Sequence, residues 1–319
     1  MFVRKLPAIV LTAGLLVSLS ACTGLFPETC TPTFASGSNS ELVSAVGSFG
    51  KDPRATFPTP LISEAPEVSE LTVGEGDVAG SGDIVDFQVT VLLGRTGEVI
   101  TSSSYDETSP VRRTVNNGDP LGDMLACSSV GSRVAATSTF ENIFPDTDPE
   151  TSGAEADDTI VLVFDVQRVL PGRANGVDQL APSGFPSIAL APNGQPGFTF
   201  ASGDVPTESS FGVLKQGSGA VVEEGETAVI HVSGIVWDAA TVAFSTWSTG
   251  APINVAAADV ADDPNGLPPG WADALIGQKV GSQIIATITP ADGYAPGTAP
   301  TGVTETDTIV VVFDILGLL

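Results

Sequence analysis

The chain has 319 residues, of which 42% are hydrophobic, and its 38 acidic and 12 basic side chains give a formal net charge of −26. This length predicts about two domains, each with a core of its own. An acidic surface repels nucleic-acid phosphates and the sequence holds no basic stripe, so we exclude nucleic acid as a partner.

The start of the chain predicts a leader peptide. Two basic residues precede an apolar run over 6–19, which is too short and too interrupted for a comfortable membrane span. The run ends in LSAC, which resembles a bacterial lipobox, in which the cysteine is acylated and becomes the mature N-terminus. We therefore predict a signal peptide over 1–21, a lipidated tether over 22–44, and anchorage to the lipid bilayer through Cys22 at the extracytoplasmic face of the cell membrane. A plain secretory signal with a chance cysteine is the alternative.

Two cysteines remain once Cys22 is lipidated, namely Cys30 and Cys127. An oxidising compartment outside the cytoplasm favours a disulfide between them. Closing so long a loop stabilises a fold by roughly 4–5 kcal/mol through the entropy of the unfolded chain. We predict this disulfide, with two free buried thiols as the alternative.

The mature chain repeats itself once. Seven turn and core residues recur at a constant offset of 143 positions. They are Pro53, Thr56, Phe57, Leu71, Gly74, Gly76 and Gly82, matched by Pro196, Thr199, Phe200, Leu214, Gly217, Gly219 and Gly225. Later, VGSR at 130–133 matches VGSQ at 280–283. The Gly-x-Gly pairs precede strand patterns and not helices, so we interpret them as turns and not as dinucleotide loops.

The repeat divides the mature chain into two predicted domains. We place the first over 45–171, a linker rich in Pro and Gly over 172–187, and the second over 188–319. The runs TIVLVFD and TIVVVFD, one per repeat, are continuous β-branched segments, as expected of buried central strands. One short helix is predicted per repeat, over 121–127 and 269–277. Many strands with a single short helix indicate an α+β fold.

The inventory of reactive side chains excludes most kinds of active site. The chain has one histidine, His231, in an alternating strand, where a structural role is expected. A catalytic triad or a zinc site therefore lacks its parts. The acidic loop 145–158 offers oxygen ligands for calcium, but it lacks the EF-hand order and is interpreted as a solvated loop. We expect neither a metal nor a cofactor.

The second repeat carries an ordered set of aromatic motifs. These are VIHVSG at 229–234 followed by Phe244, LPPGWADALIGQKVGS at 267–282, TPADGYAPG at 289–297 and TIVVVFDILGLL at 308–319. The set resembles the FKBP-type peptidyl-prolyl isomerases, whose domain wraps an antiparallel sheet around one short helix and lines a small aromatic pocket. The resemblance implies two tandem FKBP-like domains, the first degenerate and the second an isomerase.

The resemblance also implies roles for particular side chains. Trp271 would form the floor of the pocket under a proline ring, and the hydroxyl of Tyr294 would donate to a substrate carbonyl. The predicted catalytic residues are Phe244, Trp271, Tyr294 and Phe313. The predicted remainder of the substrate pocket is Val232, Ser245, Ile253, Leu267 and Pro268.

The second repeat departs from the family at several of these positions. The family usually has Tyr at the place of Val232, Asp at the place of Ser245 and Gly at the place of Ala295. Where the family presents a backbone N–H to the substrate, this chain has Pro268, which has none. The first repeat departs further. It has Leu121 in place of the tryptophan and Ile100 in place of the pocket phenylalanine, no tyrosine in its acidic loop, and only Phe164 retained.

The sequence therefore predicts a peptidyl-prolyl cis–trans isomerase that acts on proline-containing unfolded or extended secreted polypeptides. Two alternatives stay open. Both domains can be inactive and serve as a membrane-tethered chaperone or binding lipoprotein. An unrelated all-β adhesion array would explain the repeat, but not the order of Trp, Tyr and Phe.

Overall fold

Two antiparallel sheets, one from each half of the chain, form the framework of the protein. The computed structural model describes residues 30–106, 108–199, 204–237 and 241–319. The predicted signal peptide and Cys22 lie outside these ranges. No helix within them is long and apolar enough to cross a membrane.

The first half folds into a six-stranded sheet and a separate two-stranded hairpin. Its strands are β1 (Ser44–Val46), β2 (Arg54–Thr56), β3 (Glu67–Thr72), β4 (Ile84–Leu93), β5 (Val99–Ser102), β6 (Val111–Thr114), β7 (Arg133–Thr139) and β8 (Thr159–Leu170). Its helices are α1 (Pro120–Asp123) and α2 (Phe140–Ile143), with 3-10 turns at Ser40–Leu42 and Pro149–Ser152. The strand order is β3-β7-β8-β4-β5, with β6 also paired to β4, and β1 pairs with β2.

The second half repeats this plan with one extra strand. Its strands are β9 (Val177–Asp178), β10 (Ser187–Leu190), β11 (Pro196–Thr199), β12 (Ser210–Gln216), β13 (Thr227–Val236), β14 (Thr241–Ser245), β15 (Ile253–Ala256), β16 (Gln283–Ile288) and β17 (Ile309–Leu318). Its helices are α3 (Pro269–Leu275) and a 3-10 turn at Thr246–Ser248. The order is β14-β13-β17-β16-β12-β9, with β15 paired to β13 and the hairpin β10-β11 apart.

The two sheets have the same topology. Strands β3, β7, β8, β4 and β5 of the first correspond in order to β12, β16, β17, β13 and β14 of the second. The repeat seen in the sequence is therefore a repeat of structure, and the mostly antiparallel sheets with few helices fit the predicted α+β class. The bounds of the predicted domains stay predictions.

Each sheet is buried on both faces, which explains its uniformly apolar central strands. In the second half, α3 packs on one face, with Leu275 and Phe313 in the shared core. Residues of the hairpin β10-β11, including Ile188 and Phe198, pack on the opposite face against Val310. A strand covered on both sides has no solvent face, so it loses the alternation that an exposed sheet shows.

The repeated glycine and VGS motifs recur because they contact each other. A side chain at Gly74 would place its Cβ 2.2 Å from the carbonyl oxygen of Val130, and one at Gly217 would lie 2.2 Å from that of Val280. The N–H of each glycine also donates to the hydroxyl of the VGS serine at 2.9 Å. Only glycine fits so close a backbone contact. The first glycine of each Gly-x-Gly pair is therefore a packing site between loops, a role that the sequence alone did not predict.

The first half differs from the prediction in two places. It has a second short helix, α2, because Phe140 and Ile143 turn one apolar side into the core. The described part of the predicted tether also packs on the first sheet, where the carboxylate of Glu67 accepts the backbone N–H groups of Asn39 and Ser40.

Cys30 and Cys127 are both disulfide-bonded, as predicted.

The two halves pack together, and Thr31–Leu319 forms one compact unit. Four buried side chains form the apolar centre of the contact, two from each half: Ile84, Leu170, Val229 and Leu316. Beside them lies a polar cleft of about 640 Å³, lined from both halves. The halves therefore share a core.

A buried ion pair in the first half leads to a prediction about stability. The guanidinium of Arg133 binds both carboxylate oxygens of Asp165, at 2.6 and 2.7 Å, and neither side chain is exposed. At the matching place in the second sheet, Gln283 faces Asp314. We expect Arg133→Gln to destabilise the protein by about 3–5 kcal/mol, because it leaves a buried carboxylate without its charge partner. Urea unfolding at pH 7 measures this.

The double variant Arg133→Gln with Asp165→Asn is the matched control, since it leaves two neutral amides. It should recover most of the lost stability. Equal destabilisation of the single and double variants would mean that the packing of the arginine side chain and its hydrogen bonds to the carbonyls of Gly47 and Ser48 matter, and not its ion pair with Asp165.

Candidate functional site

The helix α3 carries Trp271 into the second core. Pro269 stands in the first turn, where its missing N–H costs nothing and its fixed φ favours a helix. Gly270 follows, and a Cβ there would lie only 3.1 Å from side-chain atoms of Asp292 and Ile288. The backbone of α3 can therefore approach the end of β16, which places Trp271 in the interior with 4% of its surface exposed.

A cavity of about 400 Å³ opens above Trp271. Its walls come from β13, β14 and β15, from the loop before α3 and from the loop after β16. The lining residues are Val232, Phe244, Ser245, Thr246, Ile253, Gly266, Leu267, Pro268, Trp271, Tyr294 and Pro300. Most of this surface is apolar, and the volume suits a small ring with its neighbouring peptide groups.

Eight of the nine predicted site residues line this one cavity. They come from positions as far apart as Val232 and Tyr294, so the topology and not the chain order brings them together. Phe313 does not line the cavity. It pairs in register with Val232 and lies fully buried in the same core as Trp271. Its ring therefore supports the strand behind the cavity.

Three aromatic rings shape the cavity. The rings of Phe244 and Trp271 stack with centroids 5.6 Å apart and planes at 28°. Trp271 and Tyr294 meet edge to face, at 6.1 Å and 61°. Such contacts hold each ring in one orientation, so the cavity keeps its shape without a ligand.

Most polar groups in the lining are occupied within the protein. The Ser245 hydroxyl lies 2.7 Å from that of Ser233 and accepts the N–H of Trp247. The Thr246 hydroxyl accepts the N–H of Val232 at 2.9 Å. Both side chains hold the 3-10 turn after β14 and contribute little polarity to the cavity.

Two donors among the lining residues make no hydrogen bond to any described residue. The indole Nε1 of Trp271 is buried and makes no hydrogen bond there. No hydrogen bond to another described residue involves the hydroxyl of Tyr294, and burial raises its pKa to about 12. The phenol therefore stays protonated at neutral pH and can donate to a ligand.

The rim before α3 offers no backbone donor. The N–H of Leu267 donates to the carbonyl of Ala258 at 2.9 Å, in a local bridge. Pro268, which follows in an extended conformation, has no N–H. Among the hydroxyls of the lining residues, that of Tyr294 is the one without a partner in the described part of the chain, so it can donate to a bound carbonyl.

Three lining residues, Thr246, Gly266 and Pro300, were not identified from the sequence. Thr246 and Gly266 directly follow or precede predicted site residues, so proximity in sequence was an available signal. Pro300 lies in a loop whose path the sequence does not specify, and nothing local marks it.

The first half uses its only tyrosine differently. Tyr105 is buried, and its hydroxyl lies 2.7 Å from that of Thr90, which bonds in turn to Asp52. Burial raises the pKa of Tyr105 to about 12. This hydroxyl is held within the fold, unlike that of Tyr294.

His231 has a structural environment, as its strand position indicated. It is 3% exposed, stacks on Trp247 with centroids 4.1 Å apart, and its Nδ1 lies 2.8 Å from the Thr246 hydroxyl. Burial lowers its pKa to about 4. No group of three or more His, Cys, Asp or Glu in the described ranges could hold a metal ion.

His231 and Asp314 face each other across β13 and β17 and give opposite pH effects. The folded pKa of His231 is about 4 against about 6.5 when unfolded, so protons favour the unfolded chain as pH falls through this window. Burial raises the pKa of Asp314 from 3.8 to about 6, so protons favour the folded chain between these values. The two effects largely cancel.

We therefore expect His231→Gln to gain stability relative to the wild type as the pH falls from 7 to 4, by about 3 kcal/mol. Glutamine is the residue at the matching place in the first sheet, Gln88. Asp314→Asn should lose stability over the same range. Urea unfolding at several pH values tests both, and pH profiles parallel to that of the wild type would refute the burial of these charges.

Among known proteins, matches to this chain are found in solved structures. No protein-family model matches the chain, and no curated protein matches it. Among solved structures, the three FKBP domains of wheat FKBP73 align over 80% of this chain and 94% of that one, at 15% identity and a TM-score of 0.34. FkpA from Escherichia coli aligns over 41% of this chain and 51% of its own, at 20% identity and a TM-score of 0.30.

A multi-domain immunophilin from Arabidopsis thaliana aligns over 36% of this chain and 44% of its own, at 14% identity and a TM-score of 0.31. FKBP domains and an immunophilin are thus among the solved structures that align with this chain.

Proposed function

We propose that the protein is a peptidyl-prolyl cis–trans isomerase and that the cavity over Trp271 is its active site. The observation that carries this proposal is the cavity itself. It is apolar, bounded by three fixed rings, and contains one free phenol donor, Tyr294. The groups needed for acid–base or metal catalysis are missing from its lining, whereas prolyl isomerisation needs neither.

The chemistry follows from the barrier to rotation. Turning an Xaa-Pro bond costs about 20 kcal/mol, because amide resonance is lost as the bond twists. The twisted amide is less charge-separated than the planar one, so an apolar cavity favours it. Trp271 would hold the proline ring, and Tyr294 would donate to a carbonyl of the substrate.

The substrates we propose are proline-containing segments of unfolded or extended secreted polypeptides. The cavity opens to the surface, since Ile253 on its rim is 41% exposed. A proline in an extended chain can enter such a cavity, whereas a proline packed inside a folded domain cannot. Refolding of a protein limited by a slow prolyl step tests this directly. Catalytic amounts of the chain should accelerate the slow phase, and an unchanged slow phase would count against the proposal.

We propose in addition that Cys22 anchors the protein at the extracytoplasmic face of the cell membrane. The order of basic residues, apolar run and LSAC supports this placement. Mass spectrometry of the protein from the producing cells should find an acylated N-terminal cysteine, lost in Cys22→Ser. An unmodified N-terminus at another residue would refute the anchor.

A second candidate function is an inactive chaperone or binding lipoprotein. Pro268 favours it, because the rim lacks the backbone donor that the family usually presents. The distinguishing measurement compares binding and catalysis for one Xaa-Pro peptide. Binding without faster isomerisation would indicate the binding module, and binding with faster isomerisation the enzyme.

A further inference from the structure

One segment separates the proline cavity from the junction between the halves. Residues 245–256 include the 3-10 turn at Thr246–Ser248 and strand β15. Thr246 and Ile253 line the proline cavity, whereas Trp247 and Gly250 line the cleft between the halves. The same stretch of backbone is thus a wall of both spaces, and we name it the shared wall.

The first half contacts this shared wall at two places, through residues of strand β6. The guanidinium of Arg112 donates to the side-chain oxygen of Asn254 at 2.7 Å, one residue from Ile253 in the cavity. The hydroxyl of Thr114 donates to the carbonyl of Gly250 at 3.1 Å. A Cβ at Gly250 would also lie only 2.8 Å from the side-chain amide of Asn117.

The donor on the first half is itself held rigidly. Arg112 binds both oxygens of the buried Asp86, at 2.6 and 2.9 Å, and Arg168 binds the same carboxylate at 3.2 Å. A guanidinium fixed in two-point contact loses little further freedom when it makes a third hydrogen bond. Arg112 therefore presents a nearly fixed donor to Asn254.

Asn254, which accepts the hydrogen bond from Arg112, is connected through its own sheet to the apolar contact between the halves. Asn254 pairs in register with Val229 of β13, and Val229 packs in the junction with Ile84 and Leu170 of the first half. The position of β15 is thus set by its own sheet on one side and by the first half on the other. Ile253, next to Asn254, lies on the rim of the cavity with 41% of its surface exposed.

We propose that the first half of the chain positions the shared wall of the proline cavity, with Arg112 and Thr114 as positioning residues. This inference rests on the proposed isomerase function. It gives the degenerate repeat a role that needs no pocket of its own. When these bonds are lost, the shared wall occupies its binding-competent position for a smaller fraction of the time. The apparent Kd for the substrate rises in inverse proportion to that fraction.

The test uses the whole chain and leaves Arg112 in place, since its loss would remove one of the two guanidinium partners of the buried Asp86. The double variant Thr114→Val with Asn254→Ala removes both contacts. Thr114→Ser with Asn254→Asp is the matched control, because it keeps a hydroxyl donor and an acceptor oxygen. Isomerisation of an Xaa-Pro peptide gives KM and kcat, and hydrogen exchange reports on the amides of β15.

In the double variant we expect KM to rise roughly three- to tenfold, the effect of one or two net hydrogen bonds, with kcat nearly unchanged. Exchange at Ile253–Ala256 should be faster, while the amides of β17 keep their protection. The control should match the wild type in both. An unchanged KM in the double variant of an active protein would overturn this inference alone. A wild type that neither binds nor isomerises the peptide would overturn the proposed function and this inference with it.

Discussion

Trp271→Leu should lower kcat/KM for an Xaa-Pro peptide at least about 30-fold, equivalent to roughly 2 kcal/mol of transition-state stabilisation. Trp271 forms the floor of the cavity and stacks on Phe244, so its ring is the largest surface that a proline can contact. Leucine keeps the site apolar, and it is the residue at the corresponding place in the first repeat, Leu121. The measurement is the isomerisation rate against substrate concentration.

Phe87→Leu is the control for lost stability. Phe87 is fully buried in the core of the first half, edge to face with Phe164 and away from the cavity. Both variants should lose about 1–3 kcal/mol of unfolding free energy, as large-to-small changes in cores do. Only Trp271→Leu should lose activity. An equal loss of activity in Phe87→Leu would mean that the rate reports general stability and not the floor of the cavity.

Pro268→Ile should raise kcat/KM roughly three- to tenfold, the worth of one net hydrogen bond. The substitution gives the rim a backbone N–H next to Leu267, at the position where the family usually presents its donor. The backbone of Pro268, with φ −52° and ψ 147°, is accessible to isoleucine and remains suitable for the proline that follows. Rates for one peptide, wild type against variant, measure the effect.

Pro269→Ala is the matched control for this change. It also adds a backbone N–H, but within the first turn of α3 and outside the residues that line the cavity. Its kcat/KM should stay close to that of the wild type. A gain in both variants would point to a looser loop, and no gain in Pro268→Ile would mean that Tyr294 alone carries carbonyl recognition.

Much of the fold was predictable because its signals are local. The β-branched runs around Phe164 and Phe313 are central strands, and the Pro-Pro-Gly before Trp271 starts a helix. The constant offset between the repeats indicated two copies of one topology, since insertions fall in loops and leave the packed turns in register. The order of Phe244, Trp271 and Tyr294 predicted the cavity, because insertions in loops leave the order of the motifs unchanged.

The rest depends on contacts between distant segments. The hairpins β1-β2 and β10-β11 cover the outer faces of the sheets. The sequence did not predict them, because the segments that precede them have only the patterns of a tether and a linker. Strand β9 lies in the predicted linker and pairs with β12. The bond from Arg112 to Asn254 follows from how the halves pack, which no local pattern encodes.

Exchange spectroscopy by NMR on a single Xaa-Pro peptide tests the central claim most directly, because it measures cis–trans interconversion without a coupled enzyme. Uncatalysed interconversion takes tens of seconds or longer. With catalytic amounts of the whole chain, the interconversion rate should rise well above that of the uncatalysed reaction. The same amount of Trp271→Leu should leave it near background. An unchanged rate with the wild type, under conditions where the peptide binds, would contradict the assignment of the cavity as an isomerase site.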